Sequence, residues 1–253
     1  MLTSMKDLKN YAIGATDGDI GHVKDLLFDD EAWVIRYFVV DTGNWLSNRQ
    51  VLISPISMDK SSLEKNTLSV SLTKEQVKNS PDIDTQRPIS RQHEKSYLGY
   101  YGYPNYWGST GLWGMGMYPY ALMPGYVDDG LEPLGFGDRD KACDSGRRMR
   151  HGNDDPHLRS CEAVIGYHIH AKDGEIGHVS DFILDQRTLA ILHLVVDTSN
   201  WWGGHKVLIS PERIEDVSWV DQSVSIDLTR QSLIDATPYQ STEQLNRERE
   251  TRV

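Results

Sequence analysis

The sequence predicts an all-β protein made of two small β-barrels joined by a long irregular linker rich in Gly, Tyr and Trp. Three observations carry that reading. A segment recurs after an offset of 156 residues, short apolar runs alternate with turn signals inside each copy, and the stretch between the copies has no period of its own.

The recurrence is gapless. "DGDIGHVKD" (Asp17 to Asp25) returns as "DGEIGHVSD" (Asp173 to Asp181), "VVDTGNW" (Val39 to Trp45) as "VVDTSNW" (Val195 to Trp201), and "VLISP" (Val51 to Pro55) unchanged at Val207 to Pro211. About half of the aligned positions from Tyr11 to Pro55 are identical, far outside chance. The period exceeds that of solenoids, so each copy is expected to have its own core. The expected boundaries are 1–80 for the first barrel, 81–157 for the linker, 158–240 for the second barrel and 241–253 for a charged tail that forms a frayed helix.

Within each copy the elements follow from local chemistry. Asp17-Gly18 and Asp173-Gly174 supply the pair that a type I′ hairpin turn needs, because both central residues there take positive φ. In the following strand Ile20 and Val23 lie three apart around a glycine, which predicts a β-bulge at Gly21 and equally at Gly177. His22 and His178 sit in that bulged strand and read as partly buried fold residues. Ile35 to Asp41 and Ile191 to Asp197 are apolar on both faces and predict buried central strands. Asp41 and Asp197 end them where an Asx side chain can bond its own turn backbone. A last hairpin follows in each copy, and then a short helix opened by Thr73 or Thr229, a residue type that caps helices well.

That order of Asp-Gly-x-Ile-Gly-x-Val-x-Asp, a buried strand ending in Val-Asp, an aromatic turn, Val-Leu-Ile-x-Pro and a closing hairpin with a Thr-capped helix resembles the PRC-barrel family. The family is named for the photosynthetic reaction centre, whose H chain carries such a barrel, and a similar barrel ends a bacterial ribosome-maturation factor. The resemblance covers roughly two thirds of the chain. It implies a non-catalytic adaptor that docks on a larger assembly, in the first instance one related to reaction-centre electron transport. The alternatives are a ribosome or RNA-processing assembly factor acting through a ribosomal protein, and a metal-binding protein or enzyme.

Composition narrows the partners. The net charge of −11 leaves about −2 on residues 1–80 and about −6 on residues 158–240, which argues against phosphate-neutralising contact with nucleic acid or anionic membrane. No apolar run is long enough to span a bilayer or to serve as a signal segment, so a cytoplasmic protein without membrane insertion is expected. The expected partner is protein, with an intramolecular pseudo-dimer or a homo-oligomer as the arrangement, and neither an enzyme activity nor a cofactor is expected.

Few residues offer ligand or acid–base chemistry against that background. His168 and His170 alternate on one strand and share a face, as metal ligands would; Cys143, His151, His157 and Cys161 have ligand chemistry with irregular spacing. Both sets are weak metal candidates, and a disulfide between Cys143 and Cys161 stays open. No nucleophile or third group accompanies His22 with Asp25 or His178 with Asp181, so no catalytic residue is predicted. The linker from Ser96 to Tyr126 is expected to be irregular. Its Tyr103, Trp107 and Trp113, together with Trp45, Trp201 and Trp202 in the matching turns, are the interaction candidates.

Overall fold

The computed structural model describes residues 1–59, 67–81, 89, 91–107, 111–114, 116–124, 158–199 and 204–251. The first copy runs β1 (Leu2–Ser4), α1 (Met5–Leu8), β2 (Ala12–Ala15), β3 (Gly18–Asp29), β4 (Val34–Asp41), β5 (Gln50–Ile53), β6 (Thr67–Ser69) and α2 (Lys74–Lys78). After α3 (Arg91–Tyr101) the second copy runs β7 (Leu158–Ser160), α4 (Cys161–Val164), β8 (His168–Ala171), β9 (Gly174–Asp185), β10 (Ile191–Asp197), β11 (Lys206–Ile209), β12 (Ile214–Ser218), β13 (Ser223–Ile226) and α5 (Arg230–Ile234), with α6 (Thr242–Thr251) behind it. The protein is therefore strand-rich, with short helices.

Its strands form two sheets, ordered β11-β10-β9-β8-β13-β12 and β5-β4-β3-β2-β6. Among the described residues neither sheet closes on itself, which corrects the expectation of closed barrels. The edge strands are only three to five residues long. β5 and β11 each run into a Ser-Pro that opens a 3-10 turn, and proline has no N–H with which to extend a ladder.

The compact units cut across the repeats. One consists of residues 1–10, 25–35 and 159–253, the other of residues 11–24 and 36–158. In the first unit β1 adds itself to β9, with Leu2 opposite Asp185, Thr3 opposite Leu184 and Ser4 opposite Ile183. Its counterpart 156 residues on, β7, pairs with β3. The copies thus exchange their opening strands. Beside β1, Met5 and Leu8 of α1 are fully buried, and such burial stabilises by about 1.5–3 kcal/mol per side chain. Phe28 meets Phe182 with ring centroids 5.6 Å apart, and Ile35 and Trp33 exchange backbone hydrogen bonds with Leu189 and Ile191. The core of this unit draws on both copies instead of one. The tail takes part as well: Asn246 of α6 accepts from the Leu2 N–H at 2.7 Å and donates to the Leu2 carbonyl at 2.9 Å.

The second unit holds β2, the start of β3, most of β4, and β5, β6, α2 and α3. Tyr97 and Leu98 of α3 are buried, and beyond that helix Tyr103, Tyr106, Trp113 and Leu122 are buried as well, within the stretch expected to be an irregular linker.

Turn geometry differs from expectation by one residue. The two-residue turns are Thr16-Asp17 and Lys172-Asp173, flanked by the pairs Ala15 with Gly18 and Ala171 with Gly174. None of the four turn residues has positive φ; the glycines that follow do, at 134° and 128°. The turn is therefore not type I′. Its glycine serves the step out of the turn, which leaves the aspartate side chain free for another task.

Candidate docking site

That task is helix capping. Asp17 accepts a hydrogen bond from the N–H of Lys74 at 2.8 Å, and Asp173 accepts from the N–H of Arg230 at 2.8 Å, each at the start of the copy's closing helix. The bond from Arg230 holds the Asp173 carboxyl below its usual range. Thr73 and Thr229 cap the same helices from the N-cap position.

Gly21 and Gly177 mark the bulges, and their function is close approach. A Cβ on Gly21 would lie 2.0 Å from the carbonyl oxygen of Asp41; one on Gly177 would lie 2.1 Å from that of Asp197. Both glycines also have positive φ. The strand end they press against is fixed in turn: Asp41 accepts from the Gly43 N–H and Asp197 from the Ser199 N–H, each at 2.9 Å. The bonds with Ser199 lower the Asp197 carboxyl. His22 stands exposed and His178 half-buried, so the first is not the partly buried residue expected.

Among the aromatic candidates the structure separates core from surface. Trp113 is fully buried, Tyr103 is buried and Trp107 half-buried. The Arg36 guanidinium lies 4.0 Å from the Tyr106 ring centroid and 4.9 Å from that of Trp113, and it donates to the Leu112 carbonyl. Buried Glu94 accepts from the hydroxyls of Tyr37 and Tyr106. The Tyr97 hydroxyl donates to the Leu52 carbonyl at 3.0 Å and accepts from the Ser54 N–H at 3.1 Å, stitching α3 to β5. Burial pushes the Tyr37 and Tyr97 hydroxyls well up, and that of Tyr103 up to about 12. Trp113 and Tyr103 are therefore part of a core layer, not open docking rings. Trp45 is also engaged: its Nε1–H donates to the Ile20 carbonyl and the Lys74 ammonium sits 4.6 Å over its ring. Trp201, Trp202, Cys143, His151 and His157 lie outside the described residues.

Cys161 is a free, buried thiol. Burial, and after it the charges of Asp25, Asp181 and Glu162, raise its pKa well above the ordinary range, so it stays protonated and unreactive. Asp25 accepts from the Ser160 hydroxyl at 2.5 Å and the Glu162 N–H at 3.0 Å; Asp181 accepts from the Phe182 N–H at 2.9 Å and the Lys6 N–H at 3.3 Å. Burial nonetheless holds both carboxyls above their usual range. Among the described residues no three His, Cys, Asp or Glu side chains gather in a metal-binding arrangement, and His168 instead bonds Glu175 at 2.7 Å. His168 and His170 are exposed on the same strand.

Among the described residues, exposed large apolar side chains include two groups in turns. In the first unit, the tip of the β12–β13 hairpin carries Trp219 at 39% and Val220 at 91% exposure, with the Trp219 ring held beside Tyr167 and the guanidinium of Arg159. In the second unit, Met117 is 54% exposed next to the parallel rings of Tyr118 and Tyr120.

Comparison with known proteins fits the architecture. The PRC-barrel domain model matches residues 4–77. The chain carries a PRC-barrel domain. An uncharacterized protein of Deinococcus radiodurans is 35% identical over 91 residues, which is 36% of this chain and 32% of that relative. The chain thus spans about a third of the length of the relative it matches. The family match covers the first copy; the second is related to that copy by the internal repeat.

Two parts of the protein's surface and core carry only faint signals in the sequence. Glu94, Tyr97, Leu98 and Tyr101 follow a spacing of three and four, the signature of a helix face, but a window opened at Ser96 cuts that helix in half. Trp219-Val220 replaces the polar or glycine residues that a hairpin tip ordinarily carries, and the corresponding residues of the first copy are Leu63-Glu64.

Proposed function

We propose that this PRC-barrel protein is a non-catalytic scaffold that docks on a protein partner, with the Trp219–Val220 tip in the contact. The single observation behind the proposal is that tip: a large ring and an almost fully exposed valine side by side at a hairpin end. The motif residues common to both copies are occupied in turns, caps and strand contacts, as a scaffold requires. Kinship with the reaction-centre barrel favours a component of a larger assembly as the partner, and a cytoplasmic setting goes with it. No helix among the described residues is long and apolar enough to cross a membrane.

The test is quantitative recovery of partners from the protein's own cells by the intact chain and by a Trp219→Ser, Val220→Ser variant, both checked for equal unfolding midpoints. A partner recovered by the intact chain and lost with the variant supports the reading. Equal recovery by both removes the tip from the contact.

A further inference from the structure

The second copy carries an imidazole pair that the first lacks. His168 of β8 and His178 of β9 are direct cross-strand partners, and His178 is in turn opposite Asp197 of β10. Directly opposed residues of antiparallel strands project to the same face, so the three form a row across the sheet. The equivalent row of the first copy reads Ala12, His22 and Asp41.

The hydrogen-bond pattern makes the pair close. The Val179 N–H bonds the Tyr167 carbonyl at 2.9 Å, whereas the His168 N–H turns the other way, to the carbonyl of Gln222 just before β13. His168 and His178 therefore occupy a non-hydrogen-bonded position of the ladder, where Cα atoms approach to about 4.5 Å and side chains are nearest. Two imidazoles so placed can reach one ion. Glu175 bonds the Nδ1 of His168 at 2.7 Å, which orients the ring, fixes the proton on that nitrogen and leaves Nε2 as the donor. His168 and Glu175 have side chains more than half exposed, so a hydrated cation has access and water can fill its remaining positions.

We propose that His168 and His178 chelate a divalent transition-metal cation of the imidazole-preferring class through their ring nitrogens, with Glu175 as the residue that positions His168. The ordering expected for such a nitrogen site is Cu²⁺ above Zn²⁺, with Mg²⁺ and Ca²⁺ not bound, because hard cations prefer oxygen ligands.

Isothermal titration of the intact chain with Cu²⁺, Zn²⁺ and Mg²⁺ salts tests this, alongside His168→Ala, His178→Ala and Glu175→Ala variants whose folding is verified by circular dichroism. Saturable one-to-one binding of Cu²⁺ and Zn²⁺ is expected, weakened at least about tenfold by either histidine substitution and up to about tenfold by Glu175→Ala. No heat with Cu²⁺ or Zn²⁺, or an affinity unchanged in the two histidine variants, overturns the proposal.

Discussion

The two copies of the repeat make the same scaffold and dress it differently. Each presses a glycine onto the end of its central strand, caps its closing helix from an Asp in the preceding turn and donates its opening strand to the other copy. The first copy is then packed with α3 and the aromatic layer around Trp113, while the second keeps an open face bearing His168 and His178 and an apolar tip. What the copies share is explained by folding alone; what they do not share is where a function specific to this chain can reside.

The comparison is most severely tested at the glycines. Gly21→Val and Gly177→Val each force a side chain into a carbonyl oxygen at positive φ, and each is expected to cost about 3–5 kcal/mol. Urea unfolding would show equal losses in the two copies if the contact serves the same purpose in both. Trp113→Ala comes next, with a loss of about 3–5 kcal/mol for a large buried ring, against less than about 0.5 kcal/mol for Val220→Ser at the exposed tip. Asp17→Ala and Asp173→Ala each remove an acceptor from the first N–H of the closing helix and should lower the urea midpoint slightly, again equally.

The smallest effect concerns the buried carboxyls of the exchanged-strand unit. Asp25 and Asp181 are raised above 3.8 in the folded chain, so the native state binds protons more tightly than the unfolded one. Their contribution is fully present below the unfolded pKa and is lost as pH rises through the folded pKa. In Asp25→Asn and Asp181→Asn that loss disappears, and the fall in urea midpoint as pH rises above 3.8 should be smaller than in the parent chain. An unchanged pH profile would mean that the carboxyls are solvated.

Much of the scaffold was legible in the residues because its signals are local. The bulge at Gly21 follows from the Ile20–Val23 spacing, the Asx turn at Asp41 from residue chemistry, and the strand-rich class from short apolar runs between turns. The exchange of β1 and β7 was not legible: three residues such as Leu2 to Ser4 pair wherever an edge is offered, and nothing local says which copy offers it. Nor was the aromatic layer, since Trp113 and Arg36 are far apart in sequence and meet only through tertiary packing. The tip was missed because a Trp at the end of a strand reads as strand, and its exposure is decided by where the hairpin turns. His178 was seen, but its partnership with His168 depends on register, which the bulge at Gly177 shifts.

The most direct test is to give the second copy the tip of the first. A Trp219→Leu, Val220→Glu chain should unfold at the same urea concentration as the parent and recover none of the partner that the parent recovers, because scaffold and docking surface are carried by different residues. Undiminished recovery by that chain would contradict the account, as would a lowered midpoint, which would make the tip part of the fold.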